Sequence, residues 1–352
     1  MFANCYKGRR VFITGHTGFK GSWLAAWLSQ MGATVCGFAD CVPTSPSHFE
    51  AMHLEQHVQD MRGDIRDRDA VVRAMKEFRP DVVFHLAAQA LVRKSYEDAP
   101  LTFEANMLGT LNMLEAVRQC PSVEAAVFIT SDKCYRNDEW VWGYRETDHL
   151  GGDDPYSASK GCAEIIAHSY FKSFFKDGPA CATVRAGNVI GGGDWAKDRL
   201  IPDCIRAMQA GEALTIRNPN AAKPWQYVLD ILAGYLCLGQ KLWEQPQAFS
   251  QAWNFRPQDE PMLTVGDMVQ VLRDAYDPDY HDIRYGQPPQ HGLEQVQRDE
   301  SPTRAMLDWH PLVSAADAVA HAARWYQAAA KQNAAAETMA QLQEYQKMCE
   351  QA

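Results

Sequence analysis

The sequence predicts an α/β protein built on a doubly wound parallel sheet, with a smaller, interleaved lobe in the second half that binds substrate. Three observations carry this reading. Short apolar runs alternate with longer stretches of helical period, glycines cluster where the first strand hands over to the first helix, and the regular alternation loosens after Ala180. At 352 residues, 46% of them hydrophobic, the chain is long enough to fill a large core and a second lobe.

The elements follow in order. Val11-Phe12-Ile13 reads as a strand, and Leu24, Trp27, Leu28 and Met31 recur at helical spacing before Gly32 ends that helix. A strand follows over 34 to 38, a helix over 67 to 78, a strand over 81 to 86, a helix over 101 to 118 and a strand over 126 to 130. Asp154-Pro155 has the form of an N-cap followed by proline at the first helical position. It opens a long helix with Ala158, Cys162, Ile165, Ile166 and Phe174 on one side. Beyond Ala180, loops at Gly191-Gly192-Gly193, Asn218-Pro219 and Pro288-Pro289 mark the smaller lobe, so that residues 1 to 185 form the dinucleotide half and 186 to 352 the substrate half. The Ala- and Gln-rich tail from Gln327 reads as a solvent-exposed terminal helix.

Bulk chemistry excludes several classes. A net charge of -10 weighs against a broad nucleic-acid surface, so anions must be met by locally placed arginines and lysines. No apolar run reaches the about 18 residues of a membrane span, and Met1 to Arg10 run into a strand without an apolar signal region, making the cytoplasm the expected location. The ten cysteines form neither Cys-x-x-Cys pairs nor zinc-spaced clusters, so no metal is expected.

Gly15-His16-Thr17-Gly18-Phe19-Lys20-Gly21 is a Gly-x-x-Gly-x-x-Gly loop between strand and helix, the Rossmann-type arrangement in which backbone N–H groups approach a pyrophosphate at a helix N-terminus. No lysine or arginine stands between Lys20 and Arg62 to meet a 2'-phosphate, so NAD is favoured over NADP. Asp40 either accepts a ribose hydroxyl or is a solvated loop residue. Asp64 and Ile65 are expected to flank the adenine, with Leu86, Ala87 and Ala88 lining the other side unless Leu86 and Ala88 serve only the core.

Tyr156-Ser157-Ala158-Ser159-Lys160 sets a phenol and an ammonium one helical turn apart. Lys160 can then lower the tyrosine pKa and hold the nicotinamide ribose while Tyr156 takes a proton from an alcohol, the hydride-transfer pair of short-chain dehydrogenases. Ser131, at the end of the fifth strand, would hydrogen-bond the reacting hydroxyl or merely cap the strand end.

Four motifs together resemble one family within the extended short-chain dehydrogenases, the CDP-glucose 4,6-dehydratases: His16 to Leu24, Thr130-Ser131-Asp132-Lys133-Cys134-Tyr135, Glu139-Trp140-Val141-Trp142-Gly143-Tyr144-Arg145-Glu146, and Asp154 to Lys160. The resemblance spans about residues 8 to 240. It implies C4 oxidation, loss of water across C5 and C6, and return of hydride to C6. A 4-epimerase needs no acid and base beyond the tyrosine, whereas a dehydratase needs two more proton-transfer groups, and Asp132 and Lys133 supply them. Related dTDP-sugar dehydratases carry Asp-Glu here, which makes Lys133 the expected C5 base and Asp132 the acid at C6. For the diphosphate and sugar the resemblance points to Gln89, Arg185, Asn188, Arg217, Lys223, Tyr227 and Arg298. Lys223 and Tyr227 stand where relatives read Arg and His, exchanging a bidentate contact for a point charge. The helices near 101 to 118 and 154 to 175 resemble those that build a helix bundle between subunits, so a homodimer is expected. The rival readings are a 4,6-dehydratase of a GDP-, UDP- or dTDP-linked sugar, a 4-epimerase, and a non-catalytic NAD-binding regulator.

Overall fold

The structure is a computed structural model that describes residues 4–138, 140, 142–257, 262–286 and 301–351. The first half lays down strands and helices in alternation: β1 (Arg10–Thr14), α1 (Phe19–Gln30), β2 (Thr34–Ala39), β3 (Gln59–Arg62), α2 (Arg68–Phe78), β4 (Val82–His85), α3 (Gly109–Arg118), β5 (Ala125–Ile129), α4 (Pro155–Ser173) and β6 (Ala180–Ala186). The second half adds β7 (Asn188–Ile190), α5 (Leu200–Ala210), β8 (Leu214–Ile216), β9 (Trp225–Tyr227), α6 (Val228–Glu244), β10 (Ala252–Phe255), α7 (Val265–Tyr276), β11 (Ile283–Tyr285), α8 (Ala315–Ala330) and α9 (Ala334–Gln351).

Seven strands form one parallel sheet in the order β10-β6-β5-β4-β1-β2-β3. The strand order reverses between β1 and β4, where Ile13 pairs with Phe84 and Thr14 with His85, the switch point at whose carboxyl ends open α/β sheets bind their ligands. Continuous burial along β5 explains its unbroken apolar run, and β6 is buried throughout even though it carries Thr183 and Arg185, since both faces of a parallel sheet are covered by helices. β10 reaches the sheet only after the chain has passed through β7, β8, β9 and α6, and α6 buries Leu229, Ile231, Leu232 and Leu236 in the main core. Each such side chain contributes about 1.5 to 3 kcal/mol. Away from the sheet, β7 pairs with β9 and β8 with β11.

Two expectations are corrected. On α4 the buried residues are Ser157, Ser159, Lys160, Gly161, Ala163, Glu164 and Ala167, while Ile165 is 58% exposed and Phe174, just past the helix, 54% exposed. A polar network inside the protein, described below, claims the face that an apolar count assigns to the core. The tail is likewise no exposed helix. It divides into the end of α8 and all of α9, and α9 buries Ala334, Thr338, Gln341, Leu342 and Tyr345. His48 reaches Thr338 at 3.1 Å, the Tyr227 hydroxyl donates to Gln341 Oε1 at 2.7 Å, and the Tyr345 hydroxyl donates to Asp230 at 2.7 Å. No helix among the described residues is long and apolar enough to cross a membrane.

Candidate active site

The glycine loop is built by close approach. Gly15 takes φ +73° at the end of β1, and a Cβ there would lie 2.8 Å from the Ala87 nitrogen. Gly21 is pressed against the Gly15 carbonyl so tightly that a Cβ would fall 2.1 Å from its oxygen. The N-terminus of α1 has no side-chain cap and no acidic residue in its first turn, which leaves a positive helix end suited to an anion. Thr17 does not turn its hydroxyl to this cradle but donates it to the Cys41 carbonyl at 2.7 Å, so the backbone of Gly15, Gly18, Phe19, Lys20 and Gly21 frames it. Leu86, Ala87 and Ala88 follow β4 and are all half-buried. Exposed Asp40 directly follows β2 and accepts its neighbour's Cys41 N–H at 2.8 Å, while Asp64 and Ile65 follow β3, the Asp64 carboxylate held by Arg66. All stand at the carboxyl edge of the sheet around the switch point, an arrangement that fits a dinucleotide.

Register adds a cation that the linear gap from Lys20 to Arg62 concealed. Arg62 on β3 lies opposite Ala39 at the end of β2. Its guanidinium is taken by Asp60 at 2.7 Å and stacks over Phe49 at 5.4 Å, so it is engaged on its own strand rather than open to a phosphate.

β5 ends into a single turn over Asp132–Cys134, capped by Ser131, whose Oγ accepts the Lys133 N–H and donates to Asp132 Oδ1 at 3.0 Å. Asp154 caps α4 by accepting the Ser157 N–H at 3.0 Å, and Pro155 stands in its first turn, which orients Tyr156 and Lys160 inward. Ser131 and Asp132 are buried and Lys133 half-buried. Burial raises the Tyr156 phenol above its ordinary value, the Ser131 hydrogen bond lowers it again, Asp132 raises it, and Arg199 lowers it. The Lys160 ammonium points to the Ile129 carbonyl at 3.4 Å, and the first group that lowers the phenol is Ser131, followed by Arg199. Lys160 itself is pulled down to about 8 by burial, with Glu164 pushing the other way.

Glu164 is the centre of a buried network. It accepts from Thr130, from Thr183 at 2.9 Å and from Arg185 at 2.7 Å, and Arg185 also donates to the Tyr135 hydroxyl at 2.8 Å and the Glu146 carbonyl at 3.0 Å. Arg185 is 3% exposed, so its guanidinium serves this pair and not a substrate phosphate. Two more substrate expectations are corrected for the same reason. Gln89 donates to the Leu91 carbonyl and Thr102 hydroxyl, both at 3.0 Å, and accepts the Leu91 N–H, which commits both amide protons within the protein. Tyr227 is 2% exposed and faces α9.

Asn188 and Arg217 are exposed and Lys223 is half-buried, leaving all three to the lobe surface; Arg298 lies outside the described residues. Between Arg217 and Tyr227, the buried Asn218 Oδ1, Trp225 Nε1 and Gln226 Oε1 have no hydrogen-bond partner.

Linear pattern left out four residues of the site. Asn106 sits in a π-helical turn over Glu104–Leu108, accepts the Gln89 N–H at 2.8 Å and donates to Ser159 at 2.9 Å, tying the β4 loop to α4. Glu164 was legible as one turn beyond Lys160 but lacked a visible partner. Arg199 and Tyr235 come from the second half, and no local motif marks them.

Known proteins share this architecture. The GDP-mannose 4,6 dehydratase family model matches residues 12–321. A CDP-glucose 4,6-dehydratase of Salmonella typhimurium is 46% identical over 331 residues, 92% of each chain. A UDP-glucose 4-epimerase of Mycolicibacterium smegmatis is 24% identical across 90% of this chain and 98% of its own. Among solved structures, the dTDP-glucose 4,6-dehydratase of Streptomyces venezuelae with NAD bound superposes with a TM-score of 0.74 at 22% identity, covering 90% of this chain and 97% of that one.

Proposed function

The chain belongs to the nucleotide-sugar 4,6-dehydratase family that the GDP-mannose 4,6 dehydratase model describes, and from that membership we propose that it dehydrates CDP-D-glucose to CDP-4-dehydro-6-deoxy-D-glucose with a bound NAD. The observation that carries the reading is convergence: Ser131, Asp132 and Lys133 leave the end of β5 opposite the first turn of α4, which brings Tyr156 and Lys160.

NAD, when bound, would supply the acceptor for hydride from C4 and the donor that returns it at C6. The backbone of Gly15, Gly18, Phe19, Lys20 and Gly21 would hold its pyrophosphate, and Lys160 would hold its nicotinamide ribose. Tyr156, hydrogen-bonded by Ser131, takes the C4 hydroxyl proton. The 4-ketone so formed acidifies C5, Lys133 removes that proton, and Asp132 protonates the departing C6 hydroxyl. Asn188, Arg217 and Lys223 hold the nucleotide, with the unpartnered atoms of Asn218, Trp225 and Gln226 beside them. The Asp132-Lys133 pair favours dehydration over 4-epimerisation, for which it has no use.

Ile165, 58% exposed, and Leu108, 41% exposed, support a homodimer formed through α3 and α4, and a cytoplasmic setting suits the substrate.

Incubation with CDP-, UDP-, dTDP- and GDP-linked hexoses, followed by mass spectrometry for loss of one water, tests the proposal. A 4-keto product from CDP-glucose is expected. An epimer of unchanged mass, or dehydration of another nucleotide's sugar alone, would overturn it.

A further inference from the structure

The single turn that carries Asp132 and Lys133 is fixed on its upstream side by β5 and the Ser131 cap. Downstream it runs into Tyr135, which is 3% exposed and forms, with Cys134 and Tyr144, a small apolar cluster apart from the two larger cores. The Tyr135 ring stacks on Tyr144 with 5.3 Å between centres. Its hydroxyl is held twice, accepting from Arg185 Nη1 at 2.8 Å and donating to Asn254 Oδ1 at 2.7 Å. Arg185 on β6 and Asn254 on β10 stand opposite each other in the sheet, so the two partners share one rung of the ladder. Asn254 also grips the loop beyond the turn, donating from its amide to the Tyr144 carbonyl at 2.8 Å and from its backbone to Glu146 Oε1 at 2.9 Å. Tyr156 and Lys160 have a different anchor, the Asp154 cap of α4. The two halves of the proton machinery are therefore seated independently.

We infer that Tyr135 is a positioning residue for Asp132 and Lys133, its hydroxyl tying the end of their turn to the Arg185–Asn254 rung and holding acid and base in place for the loss of water. The inference rests on the dehydration proposed above. A turn of three residues has no helical ladder to stiffen it, so its exit bond sets where its side chains lie. Proton transfer needs the donor and acceptor within hydrogen-bond reach, and a displacement of about 1 Å costs on the order of 10²-fold. Without the Tyr135 hydroxyl, Arg185 still holds Glu164 at 2.7 Å and the Glu146 carbonyl at 3.0 Å, so the buried charge keeps its partners while the turn loses its tether. Oxidation at C4 uses Tyr156 and neither residue of the turn. Only the elimination should suffer.

Tyr135→Phe keeps the ring and deletes the hydroxyl. Wild-type protein with NAD and the variant with NAD are each mixed with CDP-glucose, and three quantities are read: absorbance of the reduced cofactor, exchange of the C5 proton in deuterated solvent, and KM. In the variant, C5 exchange and formation of the 4-keto product should fall about 30- to 100-fold while reduced cofactor accumulates and KM stays within about twofold. Should the phenylalanine variant fail to fold, Asn254→Ser, which removes the acceptor and leaves Tyr135 in place, is measured with the same expected pattern. Equal slowing of oxidation and elimination would mean a purely structural residue and would overturn the inference, as would undiminished C5 exchange. In either case an active wild type leaves the proposed reaction standing. A wild type that dehydrates another nucleotide's hexose instead corrects the proposed substrate, and the variants are read on that sugar; one that dehydrates none refutes the reaction and this role together.

Discussion

Glu164 stands one turn beyond Lys160 on α4, buried, and its carboxylate is the charge that sustains the lysine's proton against desolvation while also pairing with Arg185 at 2.7 Å. One side chain thereby joins the packing of the core to the chemistry at its edge.

Replacing Glu164 with Gln leaves the Arg185 guanidinium buried without a counter-charge, a loss of about 3 to 5 kcal/mol by urea unfolding. Lys160 then gives up its proton more easily, moving from about 8 to a lower value. The limb of the pH–rate profile that depends on protonated Lys160 shifts toward acid, and kcat measured across pH 6 to 9 checks it.

Tyr156→Phe removes the proton acceptor while leaving the ring in place. Turnover of CDP-glucose should fall about 10²- to 10⁴-fold, with NAD binding and thermal unfolding within error of wild type.

Lys133→Met separates oxidation from elimination. Hydride removal at C4 still proceeds, so absorbance of reduced cofactor builds up on mixing with substrate, whereas exchange of the C5 proton with deuterated solvent drops about 10²-fold or more. Undiminished dehydration would move the base to another residue.

His48 and His85 are buried, and burial pulls each down to about 3, with Lys160 adding to the effect at His85. Their folded values lie below the unfolded one, so the unfolded chain binds more protons at low pH. Their contribution is complete above about pH 6.5 and is lost as pH falls toward 3, roughly 3 kcal/mol for each group by pH 4. His48→Gln should lower stability at pH 7 yet reduce the further loss between pH 7 and pH 4 by about that amount, as measured by urea titration at both values.

Tyr345→Phe deletes the hydroxyl that donates to Asp230, a buried carboxyl that burial raises to about 6 and that also accepts the Leu312 and Val313 N–H groups. A cost of about 1 to 3 kcal/mol in unfolding free energy is expected, with saturated turnover unchanged.

The local parts of this site were legible in sequence. A glycine loop, an N-capped helix and the Tyr156-Lys160 spacing each lie within a few residues, so their geometry follows from one turn or one helical period. Arg185 was misread because its partner, Glu164, lies on another element, and a linear pattern cannot distinguish a guanidinium that grips a ligand from one buried against a carboxylate. The Gln89 amide was hidden in the same way by Leu91 and Thr102. In the tail, alanine and glutamine concealed a helix whose buried face is set by Leu342 together with Thr338, Gln341 and Tyr345, three polar residues that only their distant partners reveal as interior. The Tyr235 hydroxyl meets Lys20 across 215 residues, beyond the reach of any local signal.

Because β10 enters the sheet beside β6 only after the smaller lobe has been threaded, neither half can be cut free as an independent unit. A nascent chain halted before residue 255 lacks an edge of its central sheet, and the ribosome must deliver most of the polypeptide before the cofactor crevice acquires its full backing. Folding is consequently committed to long-range closure, slow and cooperative, and heating should melt both lobes in one transition rather than two.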